Sequence, residues 1–400
     1  MKVLHVTPAY EPAWAAGGVV RRLSLLCRAL SDLGVDVTVY ATDTSGTGRL
    51  NVPVNRELNI KGVRVFYFRT EMSRAFRFST QLTLSCRANI GSFDLVHISS
   101  TWNYPGVVAS YYARRRKIPY IISPDGSMEA GAIMRKRLKK LLYLRLFEMR
   151  ALRHGSAVHF VSELERKRSS WMSSAPPSFV VPCGMDFSEF EQRVERSEAR
   201  KSLDLPRNAL VVGYLGRLDR RKALDVLLKA FARIAGHFPT AILVLAGPDW
   251  GDGRRLQRLA HHLGLSDRVR FTGFVPPDKR TLFLAAIDLM TLTGYEGECF
   301  GYAAVEAAAA GVPVLLSDNV GVADILAADG AGVVTPVDEV SIAGALEQLL
   351  ADPIGLQEMG QKGYHSVRKH FDMHVVAKRM ITAYKDVLTG ARSPECHWSY

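Results

Sequence analysis

Short apolar runs recur along almost the whole chain, most of them separated by stretches in which apolar residues return at helical spacing. In the first half these runs are VLHVTPAY, VDVTVYAT, VRVFYFR, DLVHIS, PYIIS, AVHFVS and SFVVP. In the second half they are ALVVGYLG, AILVLAG, RVRFTGF, DLMTLTG, VPVLLSD and AGVVTP. Near-continuous Val/Ile/Leu runs mark strands buried on both faces, and helices between them make those strands parallel. The pattern predicts an α/β fold class: two Rossmann-like, doubly wound parallel-sheet domains facing each other across a cleft. The expected domains are 1–182 and 183–372. Residues 373–400 form a C-terminal helix packing back towards the first domain, plus a tail. The polar, turn-rich stretch Ser45–Asn59 reads as a mobile loop. Open α/β sheets bind ligands beyond the carboxyl ends of their strands, so the chemistry is expected there.

Composition narrows the class. The 400 residues are 48% hydrophobic, enough for two sizeable cores. No apolar run reaches the roughly 18–20 residues a membrane span requires. MKVLHVTPAY does not read as a secretory signal, because a proline interrupts it before any long apolar stretch. The five cysteines are scattered without paired spacing, which argues against zinc and disulfide frameworks and for a reducing, cytoplasmic setting. The formal net charge is +13. Between Arg135 and Arg168 there are eleven Lys or Arg against Glu148, Glu163 and Glu165. Such a surface suits phosphate-bearing ligands, anionic lipid or nucleic acid, and charge alone does not choose among them.

Three segments carry candidate chemistry. In GYEGECFGYAAVEAAAAGVPVLLSD a strand ends, a loop delivers Glu298, and a helix begins near Tyr302. The free amides at that helix start suit an anion, and Glu306, about one turn in, suits a diol. Both acids are equally compatible with solvated positions favoured by the helix dipole. In GYLGRLDRRKALDVLLKAF, Arg217 and Lys222 follow a strand end, two cations able to grip a diphosphate. Arg220 and Arg221 lie in the same turn, so a merely solvated basic turn is the competing reading. The third segment is the first strand–helix turn, Pro8–Gly18. Its pair Gly17 and Gly18 permits close backbone approach to a phosphate or sugar, or serves only as a turn. It is not GxGxxG, and a dinucleotide site is a poor fit.

Taken together and in this order, the segments resemble the retaining glycosyltransferases of family 4, which have the GT-B fold. The resemblance runs from about Val3 to Ala383. It is most specific in EGECFG…VEAAAAGVPV and is supported by GRLDRRKALDVLLKAF, LVLAGP, RVRFTGFVP, VVPCGMDFSEF and SDNVGVADILAADGAGVVTP. AWAAGGVVRRLSLLCRALSDLGVDVTV and DLVHISSTWNYPGVVAS match as well. The resemblance implies transfer of a sugar from a nucleotide-diphosphate donor to a glycan or lipid-linked acceptor, in surface polysaccharide or glycoconjugate synthesis. Arg217 and Lys222 match the pair holding the diphosphate, and Glu298 the acid beside the donor sugar. Phe300, Gly301 and Tyr302 match the stretch near sugar and phosphate, and Glu306 the acid on the ribose. Gly17 and Gly18 match the first-domain loop near the diphosphate, and the backbone at Phe274 and Val275 the region that meets the base. No cofactor is implied beyond the donor, which is a substrate. No Asp-x-Asp occurs, which disfavours the metal-chelating transferases and fits a metal-independent one.

Several positions depart from the family pattern. Ser99 stands where many relatives carry a second His, leaving His97, a residue that is either packed in the strand or an acceptor contact. Asp125 in SPDGSM replaces His or Arg, which points to a changed acceptor site or weakened catalysis. Ala223 replaces Gly after Lys222, a mild change, and Cys183 replaces Asn at the domain seam. Residues 134–152 are expected to form one amphipathic helix, with Leu138, Leu141, Leu142, Leu146 and Phe147 near one face and Arg135, Lys136, Lys139, Lys140 and Arg150 supplying charge. It docks on an anionic membrane as a peripheral contact, or packs its apolar stripe on the first sheet. Three other readings stand beside the transferase, one of them a degenerate, non-catalytic homologue raised by Ser99 and Asp125. A sugar-nucleotide epimerase of similar architecture needs no acceptor. A basic nucleic-acid-binding protein fits the charge, but no recognised helix-turn-helix, zinc or basic–aromatic pattern occurs, so no nucleic-acid partner is expected.

Overall fold

The computed structural model describes residues 1–14, 18–46, 48–71, 76–129, 143–171, 176–191, 194–296 and 298–390. The chain divides into two compact units, residues 1–185 with the segment from Phe371 onward, and Asp186–His370.

The first unit holds β1 (Lys2–Thr7), β2 (Asp36–Thr42), β3 (Thr44–Ser45), β4 (Gly48–Arg49), β5 (Glu57–Ile60), β6 (Val63–Phe68), β7 (Leu95–Ser99), β8 (Tyr120–Ser123), β9 (Ala157–Phe160) and β10 (Ser178–Val180). Its main sheet runs β10-β9-β8-β7-β1-β2-β6-β5, parallel except at the β5–β6 edge. Strand order reverses direction between β1 and β7, and the carboxyl ends of those two strands therefore flank a switch point. Alternate residues of each strand feed two cores. Val3, Val37, Val39, Val65 and Leu95 pack with Leu23, Leu26 and Leu30 of the Gly18–Asp32 helix. Met373, Val376, Met380 and Tyr384 of the C-terminal Met373–Thr389 helix complete that core, so this helix is an integral layer of the first unit. Leu4, Val6, Val96, Ile98 and Ile122 face the opposite layer.

The expected loop Ser45–Asn59 is in part regular structure. Thr44–Ser45 pairs with Gly48–Arg49, and β5 adds an antiparallel edge strand to β6. The reason is local: Leu58 and Ile60 alternate with polar neighbours. Lys61 and Gly62, at φ 51° and 85°, form the two-residue turn with both centres left-handed that closes a hairpin.

The second unit holds β11 (Leu210–Leu215), β12 (Ala241–Ala246), β13 (Val269–Gly273), β14 (Leu289–Leu292), β15 (Val314–Ser317) and β16 (Gly332–Thr335) in the order β13-β12-β11-β14-β15-β16, every pairing parallel. Here the switch point falls between β11 and β14. Among the described residues, no helix is long and apolar enough to cross a membrane.

A buried polar chain crosses the first sheet on the face covered by the C-terminal helix. His159 Nε2 lies 2.8 Å from the Val181 carbonyl oxygen and Nδ1 lies 2.7 Å from Ser123 Oγ. Ser123 Oγ lies 2.7 Å from His97 Nε2, whose Nδ1 lies 2.7 Å from Tyr384 Oη, and His5 Nε2 lies 3.3 Å from the same phenol. A carbonyl only accepts, so His159 donates through Nε2 and accepts the Ser123 proton. His97 then donates to Ser123 and accepts from Tyr384, and His5 donates to Tyr384. The order follows from one carbonyl and makes all three imidazoles neutral Nε2–H tautomers. Burial agrees, pushing His5 and His159 down to about 3 and His97 well below its ordinary value. Tyr384→Phe removes the hydroxyl that serves both His97 and His5, so the urea midpoint should fall by the equivalent of about 1–3 kcal/mol. An unchanged midpoint would contradict the chain.

Candidate functional site

The second unit brings the sequence candidates together at its switch point. After β11 the backbone passes Arg217 and tightens into a turn of 3-10 helix, Arg220–Lys222, before the Leu224–Ile234 helix. Asp219 caps that turn and takes both Arg221 Nε, at 2.8 Å, and Arg221 Nη2, at 2.5 Å. Arg221 holds the Asp219 carboxyl well below the usual range. Of the four basic residues, Arg221 is thus already paired, and Arg220, its side chain 80% exposed, lies 3.8 Å from Asp252 Oδ1. Arg217 and Lys222 stay as the candidate pair, with Lys222 held by a carboxylate from a different loop.

Lys222 is buried, and its ammonium forms an ion pair with Glu298. Burial, with Arg217 and Arg221 nearby, lowers its pKa to about 8. The Glu298 carboxylate opposes that shift by favouring the charged form. Their loops meet because the Tyr295 amide donates to the Arg221 carbonyl at 2.8 Å. The stretch Glu298–Phe300 is zipped to the loop after β15: Gly321 donates to the Glu298 carbonyl at 2.8 Å and Val322 to that of Phe300 at 3.0 Å. Phe300 is buried against the Tyr302 ring, 4.9 Å away. Gly301 opens the Tyr302–Ala309 helix at φ 103°, and a Cβ there would lie 2.5 Å from Val320 Cγ1. Only glycine fits both the backbone and the space, so this turn fixes where the helix amides point. Glu306 is buried and accepts from Arg280 Nη1 at 2.7 Å. Phe274 is 64% exposed and Val275 buried, in the loop following β13.

Ala223 has φ 50° and ψ 32°, the left-handed region, and is fully buried. Replacing glycine here is therefore more than a mild change, since a non-glycine residue in that region costs about 1–2 kcal/mol.

In the first unit the structure separates the candidates. Gly18 starts the Gly18–Asp32 helix in an exposed position, and Gly17 lies outside the described residues. His97 is fully buried inside the polar chain, a packed residue rather than a surface one. Ser99 ends β7, and its buried hydroxyl has no hydrogen-bond partner among the described residues. Asp125, at φ 54°, is ion-paired with Arg22 at 2.6 Å and accepts from Ser100 Oγ at 3.2 Å. Burial raises its carboxyl while Arg22 pulls it back. Arg22, itself buried, neutralises the Asp125 carboxylate rather than leaving a free charge of either sign. Of the expected helix 134–152, residues 134–142 lie outside the description. From Leu144 the chain makes one wide π-helical turn to Glu148 and then the short helix Met149–His154, with Leu144 and Leu152 in the core. Within it Glu148 accepts from the Trp102 amide at 2.7 Å, and burial raises its carboxyl to about 7.

Sequence reasoning missed Arg22, Arg280 and Trp250. Arg280 is a helix-start residue with no motif around it, and Arg22 is one of two adjacent arginines on an amphipathic helix. Trp250 lies two residues beyond the quoted LVLAGP stretch, in PDW, which was the available signal.

Comparison with known proteins follows the same division. Residues 195–366 match the family described as glycosyl transferases group 1, and residues 17–184 match the glycosyl transferase 4-like domain. The chain is 26% identical over 416 residues to the D-inositol 3-phosphate glycosyltransferase of Streptomyces bingchenggensis, covering 98% of this chain and 90% of that one. In three dimensions it resembles the sucrose-phosphate synthase of Thermosynechococcus elongatus, with TM-score 0.76, 22% identity, and 98% and 100% of the two chains covered. It also resembles Anabaena HepE in complex with UDP, with TM-score 0.74, 19% identity, and 96% and 100% covered.

The Lys222 shift has a measurable sign. Its folded pKa of about 8 lies below the ordinary 10.5, so the folded chain holds this ammonium charged below pH 8 and releases the proton above it. A diphosphate needs the charged form. Affinity for inorganic pyrophosphate should therefore fall as pH rises through about 8 and above, and Lys222→Arg should shift that fall to higher pH. Calorimetric titrations from pH 6.5 to 9.5 measure both, and a flat wild-type profile would contradict the assignment.

Proposed function

The chain belongs to the group 1 glycosyltransferases, with the GT-B fold, and we propose that it is a retaining transferase moving a sugar from a nucleotide-diphosphate donor to a glycan or lipid-linked acceptor. The observation that carries this is the Lys222–Glu298 pair beside Arg217 at the β11/β14 switch point. Glycosyl transfer leaves negative charge on the departing diphosphate while positive charge develops on the sugar. Fixed cations stabilise the first, and helix amides at Gly301–Tyr302 add to them in a site where the charge need not wait for water to reorganise. Glu298 is the matching group for the second charge. When a diphosphate arrives, Lys222 exchanges the carboxylate for phosphate oxygens, and Glu298 turns to the donor sugar. The buried Glu306 carboxylate, held by Arg280, serves the ribose hydroxyls. We assign acceptor binding to the first unit, where Ser99 and the Arg22–Asp125 pair stand in place of the relatives' residues.

Retention of anomeric configuration is supported by the family likeness. Same-face displacement assisted by the leaving phosphate is the route we favour, because the cations and helix amides gathered here act on that phosphate. An epimerase acting on the same donors would isomerise a labelled sugar nucleotide without acceptor, whereas a transferase gives only slow hydrolysis.

The setting we propose is glycoconjugate or surface polysaccharide assembly at an anionic membrane. Two observations support the surface. Tyr111 is 42% exposed and bonds Arg115 Nη1 through its hydroxyl at 3.0 Å, with Arg114 and Arg150 close by. Phe147, 40% exposed, lies three residues before Arg150. Basic groups near such a surface contribute about 1 kcal/mol each. Flotation with vesicles containing phosphatidylglycerol should recover the chain at low salt, and Arg114→Glu/Arg150→Glu should release it. Equal recovery with neutral phosphatidylcholine vesicles would contradict membrane docking by charge.

The function itself is tested by a thermal-shift screen of nucleoside diphosphates and their sugars, since bound ligand raises apparent stability by mass action. With the donor known, Glu298→Gln should abolish transfer and leave nucleotide affinity within about threefold, while Lys222→Ala should weaken nucleoside diphosphate binding at least tenfold, as loss of a charged hydrogen bond does. Wild-type turnover in Glu298→Gln would overturn its role.

A further inference from the structure

The Arg217 guanidinium does not hang free at the end of β11. Its Cζ lies 4.4 Å from the centroid of the Trp250 ring, which is itself 60% exposed and therefore not a core residue. The two loops that carry this pair are fixed to each other. The Leu218 amide donates to the Pro248 carbonyl at 2.9 Å, and the Trp250 amide donates back to the Leu218 carbonyl at 3.0 Å. Gly247, at φ 145°, passes so close to the Gly216 carbonyl that any Cβ would overlap it. Asp249 Oδ1 accepts the amides of Gly251, Asp252 and Gly253 at 2.8, 3.0 and 2.9 Å, which closes the turn onto the start of the Gly253–His262 helix. Tyr214 donates to the Arg217 carbonyl at 2.9 Å. The backbone of both loops is thus set, and the ring and guanidinium meet where those loops are fastened.

We infer that Trp250 is a positioning residue for Arg217. A guanidinium is planar and weakly hydrated, so it stacks on an aromatic face while the N–H donors in its plane stay available for an oxyanion. The ring removes side-chain freedom that Arg217 would otherwise lose on meeting a diphosphate, and the β11 edge thus presents an ordered cation beside Lys222. Trp250 acts through Arg217 and touches no reacting atom. This rests on the donor reading above.

The test measures binding of UDP, UMP and inorganic pyrophosphate to the full chain by calorimetry. Trp250→Ala and Trp250→Leu should weaken UDP and pyrophosphate about two- to fivefold, the range expected of an exposed cation–π contact. UMP, with one phosphate fewer, should lose less, and Trp250→Phe should recover most of the affinity. In an Arg217→Ala background, Trp250→Ala should cost nothing further. That non-additivity separates positioning from a general structural role, and unchanged thermal midpoints confirm that the variants fold. Unchanged UDP affinity in Trp250→Ala, or a full additional loss in the Arg217→Ala background, overturns the inference and leaves the donor reading standing. If the unaltered chain binds no nucleoside diphosphate at all, the donor reading fails and the inference falls with it.

Discussion

A buried ammonium is unstable unless something negative meets it, and in this chain Lys222 is met by Glu298. Burial and two neighbouring arginines work against its charge, and the carboxylate works for it. The pairing obliges the turn after β11 and the loop after β14 to arrive at one place, which the Tyr295–Arg221 backbone bond and the zipped Glu298–Phe300 stretch secure. It also stores a cation where a diphosphate can displace a carboxylate. In the function proposed above, the site exchanges one anion for another on this positive centre, and the left-handed Gly301 turn opens the neighbouring helix.

Much of this was legible in the chain. Near-continuous apolar runs separated by helical spacing specify doubly wound sheets, and the candidates that follow β11 and β14 fall at a switch point because that is where strand order reverses. What was not legible depended on the third dimension. Arg22 and Asp125 belong to different βα units and meet only after folding. His97 read as an isolated polar residue on an apolar strand, and its reason becomes visible only when Tyr384, from the last helix, reaches the same sheet. The Leu58/Ile60 alternation that makes an edge strand is too short to stand out within polar sequence. In the basic turn, Arg217 and Lys222 were singled out against a merely solvated turn, and what the sequence did not show is that Asp219 occupies Arg221.

At Asp125 and Ala223 the departures expected from the sequence follow one logic, in which a local rule is broken and a neighbour compensates. Asp125 is a buried acid, and Arg22 beside it neutralises its charge. Ala223 takes a conformation suited to glycine, and the turn capped by Asp219 holds it there. Strain of this kind concentrates where geometry must be maintained for chemistry. In the first unit the same economy ties the C-terminal helix to the sheet through the ordered imidazole chain, whose neutral tautomers need no counter-charge.

The most direct test is a crystal structure of the full chain grown with a nucleoside diphosphate. The account predicts phosphate oxygens within hydrogen-bond reach of both Lys222 Nζ and the Arg217 guanidinium, with the Glu298 carboxylate withdrawn from the ammonium. A ligand lodged elsewhere, with Lys222 still held by Glu298, would contradict it.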